Sequence, residues 1–555
     1  MKKNIILSTI CAMILLSSVS CTSDFENINA DWKNPTTASA GQLFNGMISL
    51  MRQTANEQLY LNNEIFYPES ELGALTSDEW NKSYYGTESI WSNYYCFLSN
   101  VRDLEYYFDA ECKETGDTAI CDIARAEVIV LKAYQTFKLT DIFGDMPYFD
   151  AGMVWLSPDE DKYVHPAFDS QEDIYKSLLN ELVWARDILN ESGAQTPSGN
   201  EYLSLSGYDA LLYGNQSKWG KLANSLILRH ALRCYDKAPD FAGPILAEAY
   251  YKPIIDDMTG VCLWPKSLGY KTSSGWAFRQ HNKLRMGTTV WQNMSSDDDT
   301  LGTGIYDYRA YLFFDTNNGD TSQVNMGNWV PFPQERNGET DGGKPYSTVR
   351  GDDYSAKGEG CHYSPFNYYM VEDEDYIPEI IMTYADALFM KAEVAARGIV
   401  NASIIEIGYN FFEQAIYWSF VFWTQMPSDA PIWNYKYPAY LQLVSGTDIW
   451  SACTNMSSKV SLACFTKYGF PATAAEYLPL IYEQRWINLM RQPWEAWALA
   501  RQTYATPTST DYKSLKSNRL EYPPCEAANN VEAYNTQIAS MQFGDSRKTK
   551  IWWMK

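Results

Sequence analysis

Several long segments of this 555-residue chain repeat apolar residues at the spacing of an α-helix. Between Ala126 and Phe137 the apolar residues fall at positions i, i+3, i+4, i+7 and i+11, which lie on one face of a helix. The same spacing starts at Trp219 and again at Leu478. A helix with an apolar face has to bury that face against another element. The pattern therefore predicts a mainly α fold of packed helices.

A helical hairpin is indicated between Pro378 and Phe422, where two helical segments flank a turn at Gly398. Hairpins of about 34 residues are typical of tetratricopeptide repeats, and each unit needs neighbours to bury its apolar face. The chain shows no strict period. We therefore expect degenerate copies that stack into a tetratricopeptide-like helical-hairpin superhelix.

Two long segments interrupt the helical periodicity, at 239–375 and at 425–471, where Gly, Pro, Asn, Asp, Trp and Tyr become frequent. Long loops that are rich in tryptophan are more often functional than disordered. We interpret the first segment as a large irregular, loop-rich lobe inserted in the scaffold. The expected division is a signal peptide (1–20), a lipidated flexible leader (21–37), the N-terminal part of the scaffold (38–238), the variable ligand-binding lobe (239–375), the helical hairpin (376–424), a second loop-rich insert (425–471) and a C-terminal helix and tail (472–555).

The N-terminus has the layout of a secretory signal, with two lysines, an apolar run from Ile5 to Leu16 and small residues before Cys21. In bacterial lipoproteins a cysteine at this position carries diacylglycerol and a further acyl chain such as palmitate, and two or more chains anchor a protein stably. Ser18 stands where leucine is usual, and an ordinary signal peptide with a coincidental cysteine is the alternative. The acidic stretch Thr22–Glu26 resembles an export tag for the cell surface. We expect a lipid-anchored, surface-exposed protein of the outer membrane.

Composition narrows the range of partners. The formal net charge of −24 makes nucleic acid an unfavourable partner. Aromatic residues form 15% of the chain, with 41 Tyr and 19 Trp, which is more than a core of this size requires. Some rings must therefore lie at the surface, where they suit the apolar faces of sugar rings and, nearly as well, peptides.

The cysteines permit disulfides and do not indicate a metal site. Of eleven cysteines one lies in the signal segment and one is Cys21, so an odd number remains. Export allows disulfides to form, and two pairs are close in sequence, Cys112 with Cys121 and Cys453 with Cys464. No Cys-x-x-Cys or Cys/His spacing predicts zinc.

No motif indicates an enzyme or a cofactor. The four histidines form no metal-binding pair, and neither a nucleophile elbow nor a phosphate-binding loop occurs. A glycoside hydrolase needs only two carboxylates about 5–10 Å apart, so this class stays open as an alternative. The acidic stretches Asp297–Asp299 and Asp315–Asp320 offer oxygen ligands for calcium but lack the EF-hand spacing. Solvated surface turns are the simpler interpretation, and calcium is a minor hypothesis.

The helical segments also carry distinctive residue patterns. A helix ending in Thr-Asp-Ile-Phe-Gly-Asp-Met-Pro-Tyr closes the segment Ala126–Tyr148. Further patterned segments follow at Trp219–Arg229, Tyr384–Glu393, Tyr482–Asn488 with Glu495–Trp497 and Arg501, Arg519–Pro523 and Lys550–Trp553. In residues and order these segments resemble the SusD/RagB family of nutrient-binding outer-membrane lipoproteins. The resemblance covers nearly the whole mature chain, and the two interrupted segments match least.

The resemblance implies a tetratricopeptide-like scaffold that carries a variable ligand-binding lobe and sits as a lid on a SusC-like TonB-dependent transporter. It also implies delivery of oligosaccharides, with oligopeptides, as in the RagB branch, as the alternative. The residues themselves suggest a structural role for the motifs, because Gly144 and Pro147 stop a helix. Asp141, Asp145 and Arg229 are thus expected to lock helix ends together rather than to contact ligand.

Two regions combine aromatic rings with amides and acids, which together could hold the C–H face and the hydroxyls of a sugar. One is the early loop from Tyr60 to Tyr85, and the other is the variable lobe. The candidate ligand-binding residues are Tyr67, Trp80 and Asn81 in the early loop, and Trp276, Trp291, Tyr306 and Trp329 in the lobe. Packing within the core is the alternative for each of them.

Overall fold

The computed structural model describes residues 39–76, 83–115, 118–154, 160–191, 205–280, 283–296, 300–317, 328–334, 340–341, 344–345, 363–367, 377–426, 448–508 and 517–555. The expected signal peptide, the anchor residue Cys21 and the leader lie outside these ranges. Within them, no helix has the length and apolar character needed to cross a membrane.

Helices dominate the described chain, as the apolar spacing predicts. The α-helices are α1 (Ala40–Leu50), α2 (Tyr67–Ser70), α3 (Ser83–Thr115), α4 (Thr118–Phe143), α5 (Asp161–Val164), α6 (Gln171–Glu191), α7 (Gln216–Cys234), α8 (Pro239–Tyr251), α9 (Pro265–Leu268), α10 (Ser274–Gln280), α11 (Thr288–Gln292), α12 (Ala310–Phe313), α13 (Tyr384–Ala396), α14 (Gln414–Gln425), α15 (Ile449–Tyr468), α16 (Leu478–Asn488), α17 (Pro493–Thr503), α18 (Pro524–Asn529) and α19 (Val531–Ser540). Two π-helical segments precede α2 and α14, at Glu57–Phe66 and Glu406–Glu413, and a short 3₁₀ helix spans Ala474–Tyr477.

Short antiparallel strand pairs join distant parts of the chain. The strands are β1 (Ala74–Leu75), β2 (Val261–Leu263), β3 (Leu284–Arg285), β4 (Thr340–Asp341), β5 (Lys344–Pro345) and β6 (Glu379–Met382). β2 pairs with β6, with Val261 opposite Met382, and thereby ties the lobe to the start of the helical hairpin. β1 pairs with β3, with Ala74 opposite Arg285, and ties the early segment to the lobe. β4 pairs with β5.

Local sequence explains where the main helices begin and end. Ser39 starts α1 with a capping box, since its hydroxyl accepts from the Gln42 N–H and the Gln42 side chain accepts from the Ser39 N–H. The hydroxyl of Thr383 caps α13 in the same way, at 3.1 Å from the Asp386 nitrogen. Gly144 ends α4 at φ +85°, and a Cβ there would lie 2.9 Å from the Ile551 side chain.

The scaffold is built from helices that pack on their neighbours in the chain. α3 packs on α4, α4 on α6, and α6 on α7, while α13 packs on the second π helix and α14 around the turn at Gly398. The predicted helical hairpin is therefore confirmed. The apolar stripe of α4 is buried in one core that continues into the lobe. The fold is mainly α and of the tetratricopeptide-like helical type.

The two segments expected to be loops contain long helices, so that part of the expected division is wrong. α8 (Pro239–Tyr251) lies at the start of the first segment and packs against α7, and the 20-residue α15 lies within the second. The segment 472–555 holds four α-helices rather than one. The rest of the first segment is irregular where it is described, with short helices and isolated bridges.

Of the two disulfides that the sequence permits, one is absent. Cys453 and Cys464 are both free and buried in α15, where positions eleven residues apart cannot meet within one straight helix. Cys121 is disulfide-bonded, as the other pairing requires. The side chain of Cys112 lies outside the described side chains.

Candidate ligand-binding site

The segments with distinctive residue patterns converge on one buried charge network. We use this name for Asp141, Arg229, Arg233, Asp386, Glu393, Arg485 and Glu495. Asp386 forms ion pairs with Arg229 and Arg485, each with an N–O distance of 2.7 Å, and Arg485 also pairs with Glu393 at 3.3 Å. Arg233 joins Glu495 at 2.6 Å and also pairs with Asp141. Helices α4, α7, α13, α16 and α17 are thereby joined at one point.

The electrostatics of the network favour charged carboxylates at Glu495 and Asp386 and a neutral histidine, whereas burial raises the pKa of Asp141. Burial alone would raise the pKa of Glu495, but the Arg233 and Arg229 guanidiniums outweigh it and hold that pKa at about 2. For Asp386 burial also opposes ionisation, and Arg485 and Arg229 again lower the pKa. Burial and the nearby arginines lower the pKa of His230 well below its usual value, and its ring stacks 3.8 Å from Phe137. These groups face each other, so the network holds helices together.

The helix ends around Asp141 and Asp145 are locked as the motif residues suggest. The Trp553 indole donates to the Asp141 carboxylate at 2.8 Å. Asp145 accepts from the Gln171 nitrogen at 2.8 Å and from the Gln537 amide at 3.0 Å. These contacts, together with the Arg229 pair above, confirm the expected structural role of Asp141, Asp145 and Arg229.

Three tyrosines form an exposed aromatic surface at the start of α3. This tyrosine platform consists of Tyr60, on the first π helix, and of Tyr84 and Tyr85 on α3. The Tyr84 and Tyr85 ring centroids lie 4.2 Å apart, and the Tyr60 and Tyr85 centroids 5.6 Å apart. Tyr84 and Tyr85 are each 41% exposed. A hydrogen bond with Tyr85 raises the pKa of the Tyr84 hydroxyl, which therefore stays protonated and can donate or accept.

Packing beneath the platform fixes its position. Gly86 lets α3 approach the first π helix closely, because a Cβ there would lie 2.7 Å from the Leu61 Cγ and 3.2 Å from the Tyr60 Cβ. The Arg547 guanidinium donates to the Ser83 hydroxyl at 3.2 Å, one residue before Tyr84. The rings thus sit on two packed helical elements, which hold binding groups more firmly than a loop does.

The early segment and the variable lobe are joined by backbone and side-chain hydrogen bonds. The Thr76 nitrogen donates to the Lys283 carbonyl at 2.9 Å, which extends the β1–β3 pair. The Thr289 hydroxyl donates to the Glu71 carboxylate at 2.6 Å. Residues 77–82 connect Thr76 to Ser83. Trp80 and Asn81 belong to this connection and lie outside the described residues.

The other candidate residues lie at different depths. Tyr67 is only 2% exposed and meets Phe278 and Phe366 edge to face. Trp291 and Trp329 are buried and stack on each other with centroids 5.3 Å apart. As placed, these three rings pack the core and present no face to a ligand. Trp276 on α10 and Tyr306 are half-buried, and burial raises the pKa of Tyr306.

Tyr60 and Tyr85 enter the sequence prediction only as the ends of the early loop, and neither Tyr84 nor Tyr85 is among the candidate ligand-binding residues. The signal was a pair of adjacent tyrosines just before Gly86, where a helix begins. Across the described side chains, no group of three or more His, Cys, Asp or Glu is arranged to hold a metal ion. Most of the two acidic stretches considered for calcium lies outside the described residues.

The architecture defines a class, a mainly helical protein whose tetratricopeptide-like scaffold carries a loop-rich lobe. The family model SusD-like_2, described as "Starch-binding associating with outer membrane", matches residues 32–523. The chain therefore belongs to the SusD-like family, as the patterned segments indicate. No curated protein matches its sequence significantly.

Solved structures share the fold over nearly their full length. A chitin-binding protein matches with a TM-score of 0.65 and 19% identity, over 93% of this chain and 100% of that chain. A SusD homolog from Bacteroides thetaiotaomicron VPI-5482 matches with a TM-score of 0.61 and 18% identity, over 93% and 99%. A SusD homolog from Bacteroides fragilis NCTC 9343 gives 0.64 and 16%, over 93% and 100%. At these identities the likeness establishes the fold alone.

Proposed function

We propose that this chain is a cell-surface lipoprotein that binds nutrient oligosaccharides and delivers them to a SusC-like TonB-dependent transporter, over which it acts as a lid. Cys21 would carry the lipid anchor. Membership of the SusD-like family supports the general role. The observation that carries the ligand class is the tyrosine platform, an exposed aromatic surface held rigidly by the scaffold.

The platform suits a sugar ring on physical grounds. Flat tyrosine rings offer apolar contact area to the C–H face of a sugar, and their hydroxyls can bond at its edge. Trp80 and Asn81, which precede Tyr84 and Tyr85 in the sequence, are proposed to add a further aromatic ring and an amide to the site. The family description mentions starch and the similar chitin-binding protein mentions chitin, so both glucose and N-acetylglucosamine oligomers are reasonable probes.

Calorimetric titration with maltoheptaose and with chitohexaose tests the ligand class. We expect one of them to bind, and the paired change Tyr84→Ala and Tyr85→Ala to weaken binding about tenfold or more, which corresponds to at least about 1.4 kcal/mol. The matched control is Tyr106→Ala, because Tyr106 is 56% exposed on the same helix α3 but lies about six turns from the platform. If the platform variant and the wild type had equal affinity for the glycan, the platform would not be part of the binding site.

Two further outcomes separate this proposal from its alternatives. Binding of a peptide pool with no binding of either glycan would favour oligopeptide delivery. Shortening of a bound glycan after long incubation with the purified protein would favour a surface glycoside hydrolase.

The anchoring and delivery steps need an experiment in cells. We expect Cys21→Ala to release the protein from the outer membrane and to abolish its contribution to glycan uptake. Shortening of the leader, residues 22–37, should impair uptake while the purified protein keeps its glycan affinity. Equal loss of uptake and affinity would contradict the lid arrangement, and co-purification of a TonB-dependent transporter with the wild type would support it.

A further inference from the structure

A groove runs between α19 and the stretch of chain from Asp161 to Glu172. It consists of two adjoining cavities of about 560 Å³ and about 370 Å³. Gln537 lines both of them. Each volume falls in the range of about 300–1,000 Å³ that is common for small-molecule sites. None of the lining residues belongs to the tyrosine platform.

One face of α19 forms a continuous wall of this groove. Ala533, Gln537 and Ser540 are spaced i, i+4 and i+7, and all three line it. The lining residues extend from Asn529 to Gln542. At 1.5 Å per residue the ten residues of α19 make this wall about 15 Å long. A wall of this length suits a linear chain of several units better than a single compact molecule.

Each cavity contains an aromatic ring beside polar side chains. Phe168 lies in the larger cavity and Trp552 in the smaller one, and both rings are half-buried. Amides and hydroxyls, such as those of Gln537 and Thr536, make up more than half of the polar side chains, and charged side chains of both signs accompany them. The mixed charges favour a neutral ligand with many hydroxyls.

Two buried side chains along the groove have unused hydrogen-bonding capacity. Asn530 is 5% exposed, and its amide nitrogen donates at 2.8 Å to the Pro166 carbonyl and to Glu526. Its Oδ1 has no partner among the described residues. Arg519 is fully buried and donates to the Phe143 carbonyl and to Asp545, while its Nη2 has no partner within the described part of the chain. Buried polar atoms are normally satisfied, so these two atoms leave one acceptor and one donor for an ordered water beneath the groove wall.

The walls of the groove are held in place without a ligand. The Gln537 amide donates to Asp145 at 3.0 Å, and the Trp552 nitrogen donates to the Gln171 side chain at 2.9 Å. The Tyr534 hydroxyl holds the outer side of α19 to Asp545 at 3.0 Å. A site fixed in advance loses little conformational entropy on binding.

We infer that this groove is a second binding site for a neutral linear oligosaccharide, independent of the tyrosine platform. The inference rests on the proposed function for the class of ligand. A peptide that binds by adding a β-strand would need a free strand edge, and the described residues that line the groove lie in helices and loops. Two sites on one molecule would raise retention on a polymer through multivalency.

The experiment blocks the groove and the platform separately. Thr536→Trp places a large ring in the larger cavity from an exposed position, and Asn535→Trp is the matched control, because the exposed Asn535 does not line the groove. Each change is made in the wild type and in the Tyr84→Ala, Tyr85→Ala background. Maltoheptaose and chitohexaose are titrated, and retention on insoluble starch and on chitin is measured.

We expect the platform variant to keep weak oligosaccharide binding that Thr536→Trp abolishes and Asn535→Trp does not. In the wild type, Thr536→Trp should lower retention on the polymer about threefold to tenfold, since one of two sites is lost. If the platform variant binds nothing while the wild type binds, the groove inference is wrong and the proposed function stands. Residual glycan binding by the platform variant that Thr536→Trp leaves unchanged also overturns the inference. A wild type that binds neither glycan refutes both.

Discussion

The buried charge network and the tyrosine platform place side chains in environments opposite to their usual ones, with charges in the core and aromatic rings at the surface. In the network seven charged side chains lie in the core and neutralise one another across five helices. On the platform, aromatic side chains, which usually fill cores, lie at the surface on two packed elements. The charges of the network are buried and face one another, so a ligand cannot reach them, whereas the exposed rings present a free face. The most distinctive sequence motifs therefore maintain the fold, and a less distinctive tyrosine pair is the better candidate for binding.

The largest effect is expected from Asp386→Ala in the network. This change leaves the buried Arg229 and Arg485 without their shared carboxylate, which each guanidinium meets at 2.7 Å. Breaking a buried ion pair from one side costs about 3–5 kcal/mol, a large part of the roughly 5–15 kcal/mol that stabilises most domains. Urea unfolding followed by circular dichroism measures the loss.

The matched control for this change is Asp256→Ala, because Asp256 pairs with Lys221 at 2.6 Å on the surface. Exposed pairs contribute roughly 0–1 kcal/mol. Similar losses of unfolding free energy for the two variants would show that the network is not the main source of the scaffold's stability.

The next effect is a dependence of stability on pH that arises from Glu379 on β6. Burial raises the pKa of this carboxyl to about 8, against its usual 4.5, although the Gln53 N–H hydrogen bond at 2.7 Å acts in the other direction. The folded state then keeps a proton that the unfolded chain releases, so stability falls as the pH rises from about 5 to about 8. Glu379→Gln should remove this slope. At pH 9 the variant should be more stable than the wild type by on the order of 3–5 kcal/mol, as measured by urea unfolding.

At pH 5 the Glu379→Gln variant and the wild type should differ little, because both side chains are then neutral in the folded state. Glu532→Gln, at an exposed position on α19, is the control and should leave the pH dependence unchanged. A wild type whose stability does not change between pH 5 and pH 9 would contradict the raised pKa of Glu379.

The scaffold could be predicted because helical periodicity is local, as the stripe from Ala126 to Phe137 shows. α8 was missed because Pro244 lies inside it, a residue that weakens a helix unless tertiary contacts compensate. α15 was missed because hydroxyl residues interrupt its apolar pattern. Their hydroxyls bond back within the helix, as Thr454 does to the Trp450 carbonyl at 2.9 Å.

The platform could not be predicted in full, because its position depends on residues far away in the chain. Ser83 is held by Arg547, which lies 464 residues later, and Tyr85 meets Tyr60 only because Gly86 packs on Leu61. Burial of Trp291 and Trp329 likewise follows from their mutual stacking, which no spacing in the sequence reveals.

A test of the link between packing and platform is Gly86→Val. The added side chain would meet the Leu61 Cγ at 2.7 Å from its Cβ alone, so α3 has to move away from the first π helix. Overpacking of this kind costs about 1–3 kcal/mol. We expect a folded protein with a lower unfolding midpoint and a weaker affinity for the glycan that binds the wild type.

The matched control is Gly243→Val in α8, where the nearest atom to a Cβ is 3.5 Å away, at Tyr235. That variant should be close to the wild type in stability and glycan affinity. Unchanged glycan affinity in Gly86→Val would mean that Tyr84 and Tyr85 bind the glycan without the contact between Tyr85 and Tyr60.

The smallest effect is expected where the early segment joins the lobe. Thr289→Val removes the 2.6 Å hydrogen bond to Glu71 and keeps the shape of the side chain, at a cost of about 1 kcal/mol. Because neither residue belongs to the charge network, the loss should appear as faster hydrogen exchange at the Thr76 N–H, which bonds to Lys283, with little change in the global unfolding midpoint. Thr466→Val is the control, since the Thr466 hydroxyl bonds only within α15, to the Leu462 carbonyl. If hydrogen exchange became faster by the same factor in α7 and at Thr76, the lobe and the scaffold would open as one unit. The distinction between a network that stabilises the whole fold and a platform that is held locally would then be wrong.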